Sequence, residues 1–264
     1  MVPQLRETIR VILLDIEGTT TPIEFVSEVL FPYARKQVKG FLEKYLSSEE
    51  VRSDIQGLWE QHEADIRQNL DDLPFWQGGF SDRELDPIVG YIHWLSDQDR
   101  KSPALKSLQG KIWKVGYQSG ELQGQIYADV PPAFREWVQQ KKDICIFSSG
   151  SILAQKLLFK STTSGDLTQL IRSYFDTTTG PKKEGRSYHR IAAELNLVTS
   201  EIMFVSDVIE ELDAARSADL QTVLCVRPGR ERPGNPEHPV IHTFDELFRR
   251  NRKSELHPSG ASGV

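Results

Sequence analysis

Three short apolar runs in this 264-residue chain each end in residues that could do chemistry. Val11 to Leu14 runs into Asp15-Ile16-Glu17-Gly18-Thr19-Thr20. Ile144 to Phe147 runs into Ser148-Ser149-Gly150-Ser151. Ile202 to Val205 runs into Ser206-Asp207-Val208, with Glu210, Glu211 and Asp213 soon after. One aspartate after one strand is weak evidence, but Asp15 and Asp207 at neighbouring strand ends would repel each other unless a cation lay between them. Hard oxygen ligands with open positions suit Mg²⁺, which keeps waters and takes phosphate oxygens. A carboxylate such as Asp15 can also attack phosphorus to give an aspartyl-phosphate. Two residues on, an extended chain returns Glu17 to the same side, placed to protonate a leaving oxygen and later activate water. Gly18 would let the backbone turn sharply and bring amides close to an anion.

Hydroxyls and positive charge complete the set. Ser148 can donate to a phosphate oxygen, and Ser149 and Gly150 lead into a helix from Ile152 whose N-terminal amides form an anion site. The plain alternative for Ser148 to Ser151 is helix capping, and at least one of these serines is expected to do only that. Phosphoryl transfer needs a cation to offset the equatorial oxygens. Lys182 and Lys183, in Gly180-Pro181-Lys182-Lys183-Glu184, are the candidates, although a lone lysine is usually solvated surface. Phe75, Trp76, Arg100 and Lys101 are better explained by packing or surface roles than by substrate contact. His62, His93 and His189 show no metal-ligand clustering, so core or surface roles fit them best.

The elements that must carry these residues are legible from pattern. The three runs, with a fourth from Thr222 to Val226, are apolar without alternation, as in strands buried on both faces of a parallel sheet. Helical patterns over Ile152 to Lys160, Ser187 to Asn196 and Glu210 to Ala218 lie among the later runs, which predicts a doubly wound α/β fold with right-handed crossovers. Ligands bind such sheets beyond the carboxyl ends of the strands, where the polar segments fall. About 130 residues separate the first two runs, far more than the dozen or so a crossover needs. Within them Val51, Ile55, Leu58 and Trp59, then Ile88, Ile92 and Leu95, then Leu105, Leu108, Ile112 and Val115 fall at helical spacing. The expected organisation is a discontinuous core of residues 1–23 and 120–248, an inserted helical cap domain of 24–119 over the mouth of the sheet, and a polar tail of 249–264. Asp129, Pro131 and Pro132 open the helix that returns the chain to the core.

Composition excludes several other classes. With 32 Lys+Arg against 38 Asp+Glu there is no basic field to recruit nucleic acid. No run approaches the ~18 apolar residues of a membrane helix. The apolar stretch after Arg6, Glu7 and Arg10 is too brief for a signal-peptide core. Two cysteines, Cys145 and Cys225, sit inside apolar runs and read as buried reduced thiols, which makes the cytoplasm the default compartment.

The motif order, Asp-x-Glu-Gly-Thr, a strand ending in serine, a lysine and a late acidic segment, resembles the haloacid dehalogenase superfamily. The match is closer to its enolase-phosphatase family, the acireductone synthases of methionine salvage. It is carried by Asp15 to Thr20 with Phe25-Val26 and Val29 to Ala34, by Asp99-Arg100-Lys101, by Leu108-Gln109-Gly110 with Trp113, and by Tyr127 to Val130. Ser148 to Phe159, Tyr174 to Thr177 with Gly180, Lys182, Glu184, Ser187 and Tyr188, and Ser206-Asp207-Val208 with Glu211-Leu212 and Ala214-Ala215 extend it over roughly residues 10 to 228. The resemblance implies a bifunctional, Mg²⁺-dependent enzyme. It would enolise 2,3-diketo-5-methylthiopentyl-1-phosphate and then remove phosphate to release the acireductone. It further implies Mg²⁺ at Asp15, Glu17 and Asp207, with Glu17 ligating by side chain or by backbone carbonyl. Substrate would bind at Ser148, Ser149 and Lys182, Asp15 would be the nucleophile, and the protein would be a monomer. The base for enolisation is Glu17 or a cap residue. Two other readings use the same residues: a Mg²⁺ phosphatase acting on another small phosphate ester, and a non-catalytic phosphometabolite-binding module. The presence of a nucleophile argues against the second.

Overall fold

The structure, a computed structural model, describes residues 8–77, 85–100, 102–231 and 237–247; Lys101 and the 249–264 tail lie outside the described residues. In chain order the elements are β1 (Val11–Leu14), α1 (Phe31–Tyr45), α2 (Glu49–Arg67), α3 (Asp86–Asp97), α4 (Pro103–Ser119), α5 (Val130–Gln139) and β2 (Asp143–Phe147). They continue with α6 (Ile152–Lys160), β3 (Ile171–Phe175), α7 (Gly185–Leu195), β4 (Ile202–Ser206), α8 (Ile209–Ser217), β5 (Gln221–Cys225) and β6 (Val240–Ile241). The chain divides into two compact units. One comprises Met1–Thr20, Tyr127–Phe147 and Leu170–Val264, the other Thr21–Ile126 and Ser148–Gln169.

The first unit is built on a sheet of six parallel strands in the order β3-β2-β1-β4-β5-β6. This is the expected doubly wound arrangement. Every residue of β1 is buried, as a central strand covered on both faces requires. Alternation divides the strands between two faces. Val11 and Leu13, Cys145 and Phe147, and Ile202 and Phe204 share one core with Tyr188, Ile191 and Leu195 of α7 and Leu212 and Ala215 of α8. The α5 helix packs against β2, with Phe134 and Trp137 fully buried. All four strands foreseen from apolar runs are present; β3 and β6 went unforeseen. The β3 sequence Ile-Arg-Ser-Tyr-Phe lies at the sheet edge with Arg172 exposed, so it carries no continuous apolar run. The β6 strand is two residues long, below the reach of pattern.

The second unit is helical. A π-helical stretch, Phe25–Leu30, feeds directly into α1, and α4 packs against α1, α2 and α6. Hydroxyl caps set the helix starts: Ser48 accepts from Val51 N–H at 3.3 Å to open α2, and Ser102 from Leu105 N–H at 3.2 Å to open α4. The segment Ser148–Gln169, which includes α6, groups by its packing with these helices. The insert tryptophans largely pack. Trp76 and Trp113 are buried, and Trp113 Nε1 donates to the Leu30 carbonyl at 2.8 Å.

Candidate active site

The strand order reverses at β1, which has β2 on one side and β4 on the other. In open α/β sheets such a switch point opens a crevice beyond the carboxyl ends of the strands. Leu14 pairs with Val205, and Asp15 N–H continues the ladder to the Val205 carbonyl at 3.0 Å, so Asp15 and Ser206 leave the sheet side by side. The chain after Asp15 turns at once. Thr19 and Thr20 N–H both donate to the Ile16 carbonyl, and Gly18 takes φ +68°, a left-handed conformation that costs glycine least.

Asp15 is buried and held from three directions. Its Oδ1 accepts from Lys182 Nζ at 2.6 Å and from Ile16 N–H at 2.7 Å, and its Oδ2 from the Ser206 hydroxyl at 3.2 Å. Lys182 also meets Glu211 Oε2 at 2.6 Å. The loop that delivers Lys182 is set by two features. Gly180 has φ +149°, and a Cβ there would strike the Ser187 hydroxyl. The Tyr188 hydroxyl donates to the Lys182 carbonyl at 2.6 Å, and the Glu211 carbonyl lies 3.1 Å from that hydroxyl oxygen. Glu211 sits in the first turn of α8, four residues after Asp207, and so points back to the strand ends.

The cluster carries more negative than positive charge: Asp15, Glu211 and Asp207 against Lys182. Burial alone pulls the Lys182 ammonium down, but the charges and hydrogen bonds of Asp15 and Glu211 outweigh it and hold the group above its usual range, so it stays protonated. Burial raises Glu211, and the Asp15 charge adds to this against the opposing pull of Lys182. Burial, then the Asp15 charge, pushes Asp207 up to about 7. Its Oδ1 is buried without a hydrogen-bond partner among the described residues. Three carboxylates around one ammonium leave an excess that a divalent cation would neutralise, and an orphaned hard oxygen is what such an ion would take. The donor set therefore fits Mg²⁺. Among the described residues no three His, Cys, Asp or Glu side chains form a ready-made metal cage.

The structure thus brings together Asp15, Lys182 and Asp207, with Glu17 in the turn that follows Asp15. The β2 strand ends at Phe147 on the same carboxyl edge, and Ser148 and Ser149 follow it where the chain passes into the helical unit. Ser148 is buried and its hydroxyl accepts from Gly150 N–H at 3.1 Å, while Ser149 is exposed. Ser151 is the cap, accepting from Ala154 N–H at 3.3 Å to start α6. Lys183 is exposed; Lys182 is the buried one. Three participants escaped the sequence reading of roles: Ser206, Glu211 and Tyr188. A signal existed for Glu211, since an acid four residues past Asp207 at a helix start returns to the same edge. In the helical unit Arg100 pairs with buried Asp65 at 2.7 Å, and Phe75 is 77% exposed.

A family model for haloacid dehalogenase-like hydrolases matches residues 9–219. The enolase-phosphatase E1 of Synechococcus elongatus is 48% identical over 240 residues, covering 91% of this chain and 98% of that protein. A Zea mays protein described as a probable bifunctional methylthioribulose-1-phosphate dehydratase/enolase-phosphatase E1 is 41% identical over 241 residues, 89% of this chain and 46% of that one. Among solved structures, the Unknown transcript 4 protein of Saccharomyces cerevisiae superposes with a TM-score of 0.69 at 33% identity, covering 90% of this chain and 99% of that one. The chain belongs to the haloacid dehalogenase-like hydrolase family and, within it, to the enolase-phosphatases.

Proposed function

We propose that this chain is a bifunctional enolase-phosphatase of methionine salvage. It enolises 2,3-diketo-5-methylthiopentyl-1-phosphate and then hydrolyses the phosphate ester to release the acireductone 1,2-dihydroxy-3-keto-5-methylthiopentene and inorganic phosphate. The observation that carries this reading is the buried Asp15–Lys182–Glu211 cluster with under-neutralised Asp207 beside it, at the switch point of the sheet. The names of its relatives support the paired enolase and phosphatase activities, and the maize protein, described as joining a methylthioribulose-1-phosphate dehydratase to an enolase-phosphatase, supports the pathway.

In this reading Asp15 is the nucleophile. One of its carboxylate oxygens forms a bond to phosphorus as the bond from phosphorus to the substrate oxygen breaks, and Glu17 gives its proton to that departing oxygen. Glu17, now a carboxylate, takes a proton from water. The resulting hydroxide attacks the phosphorus of the aspartyl-phosphate, releasing phosphate and restoring both side chains. Lys182 contributes permanent positive charge beside the equatorial oxygens and fixes the rotation of the Asp15 carboxylate. Ser148 and Ser149 bind the phosphate-bearing end of the substrate. Asp15, Asp207 and Glu17, the last through side chain or carbonyl, would hold Mg²⁺, which when bound neutralises phosphate charge. The enolising base is Glu17 or a cap residue.

We place the protein in the cytoplasm as a monomer. Both cysteines are buried and unpaired, and among the described residues no helix is long and apolar enough to cross a membrane. The core remains 1–23 with 120–248 and the cap 24–119 in this proposal. The test is a stopped-flow assay with the diketo phosphate and Mg²⁺. Enol absorbance should rise and then decay as phosphate appears. Phosphate release with no enol phase would instead make the chain a phosphatase for another small ester.

A further inference from the structure

Arg227 is 2% exposed, one of the largest fully buried side chains of the sheet unit, and takes no part in the chemistry above. All three nitrogens of its guanidinium donate. Nε and Nη2 both donate to the Thr19 carbonyl, at 2.8 and 2.6 Å, and Nη1 donates to Asp129 Oδ2 at 2.6 Å. The rings of Tyr127 and Phe244 lie 4.2 and 4.6 Å from the guanidinium carbon. Asp129 Oδ2 also accepts from Phe244 N–H at 2.6 Å. Burying a cation is costly, and a plain hydrophobic side chain would fill the space at least as well. What the guanidinium supplies, and a methyl-bearing side chain does not, is a two-pronged grip on one chosen carbonyl.

That carbonyl closes the turn after the nucleophile. At its front, Thr19 and Thr20 N–H are tied to the Ile16 carbonyl at 3.2 and 2.9 Å. At its back, Arg227 holds Thr19, and Tyr127 N–H donates to the Thr20 carbonyl at 3.0 Å. Glu17 and left-handed Gly18 lie between these anchors. We propose that Arg227 is a positioning residue of the reaction: by gripping the Thr19 carbonyl it holds Glu17 where it can deliver a proton to the leaving oxygen. This rests on the reading of Glu17 as the acid given above. Lysine would keep the charge and reach Asp129, but a single ammonium has no parallel pair of N–H groups for Thr19.

The test compares kcat/KM of Arg227→Lys with that of the unaltered protein on two generic esters, an alkyl phosphate and p-nitrophenyl phosphate, with Mg²⁺. This parameter reports steps up to transfer onto Asp15, where an alkyl oxygen needs a proton and nitrophenolate does not. A misplaced acid should lower it about 100-fold for the alkyl ester and much less for the nitrophenyl ester. Folding is checked by circular dichroism, with Arg227→Gln as a second variant. Equal losses on the two esters, or no loss, would overturn the proposal, as would failure of both variants to fold, which would make Arg227 a support of the fold alone. If the unaltered protein hydrolyses neither ester nor the diketo phosphate, it is the phosphatase reading itself that fails.

Discussion

In the helical unit Asp65, 1% exposed, meets one cation, Arg100, at 2.7 Å, while the Tyr91 hydroxyl donates to the same oxygen at 2.7 Å. At the sheet edge of the other unit, Lys182 faces two carboxylates at 2.6 Å, and Asp207 beside them keeps an oxygen with no partner among the described residues. Both set buried carboxylates against a basic side chain. The first pairs one negative charge with one positive, braced by the aromatic rings of His62, Tyr91 and Trp94. The second is out of balance. A balanced buried pair is a neutral way to fill a core, whereas an unbalanced one is costly until something from outside completes it. Imbalance, more than burial or charge alone, separates the site from the scaffold.

Two substitutions should drive the clusters apart. The larger effect is expected from Asp15→Asn. An amide is no nucleophile toward phosphorus, so phosphate release should fall at least about 10³-fold. Because the change removes one charge from an excess, the thermal midpoint of the metal-free protein should hold or rise. Turnover at the original rate would remove Asp15 from the nucleophile role, and a sharp loss of stability would contradict the charge excess. Asp65→Asn should behave in the opposite way. It strips the Arg100 ion pair and weakens the Tyr91 hydrogen bond, costing about 1–3 kcal/mol in urea unfolding, with kcat of the folded fraction within about threefold, the size of change expected away from the chemistry. A loss of kcat beyond tenfold would assign the Asp65–Arg100 pair to the reaction and erase the contrast.

How far each cluster could be read from sequence follows from its chemistry. Asp15 and Ser148 come directly after an uninterrupted apolar run and Asp207 one residue later, so strand direction alone delivers them to one edge. Lys182 lies on a loop, and its place rested on family likeness; its burial depends on Gly180 and Tyr188, whose tertiary partners no local pattern reveals. Arg227 was hidden for a similar reason. It opens a proline- and glycine-rich stretch, where arginine ordinarily means surface, and its partners Thr19 and Asp129 lie about 200 and 100 residues away. The Asp65–Arg100 pair joins the end of one helix to the loop after another, a contact set by how α2 and α3 pack. Helix periodicity fixed which residues face inward, not which polar pairs would meet there.

A smaller effect tests the imbalance directly, through pH. In the folded protein without metal, Asp207 is pushed from the usual 3.8 up to about 7, first by burial and then by the Asp15 charge. The folded state therefore keeps a proton on Asp207 at pH values where the unfolded chain has already released it. Between those two pKa values the folded state binds more protons than the unfolded one, so stability falls as pH rises through the window and levels off above about 7. The thermal midpoint of the metal-free protein should drop by a few degrees between pH 5 and pH 8. Saturating Mg²⁺ at pH 8 should recover it, because a bound cation favours the ionised carboxylate. Asp207→Asn should reduce the slope, leaving the share that the raised Glu211 carboxyl contributes, should abolish the recovery, and should weaken Mg²⁺ binding in a calorimetric titration. Asp65→Asn should leave the slope intact, since Asp65 belongs to the other cluster and pairs with Arg100. A flat profile for the unaltered metal-free protein would mean that the charge at the sheet edge is already balanced, and the contrast between the two clusters would then be one of place rather than of electrostatics.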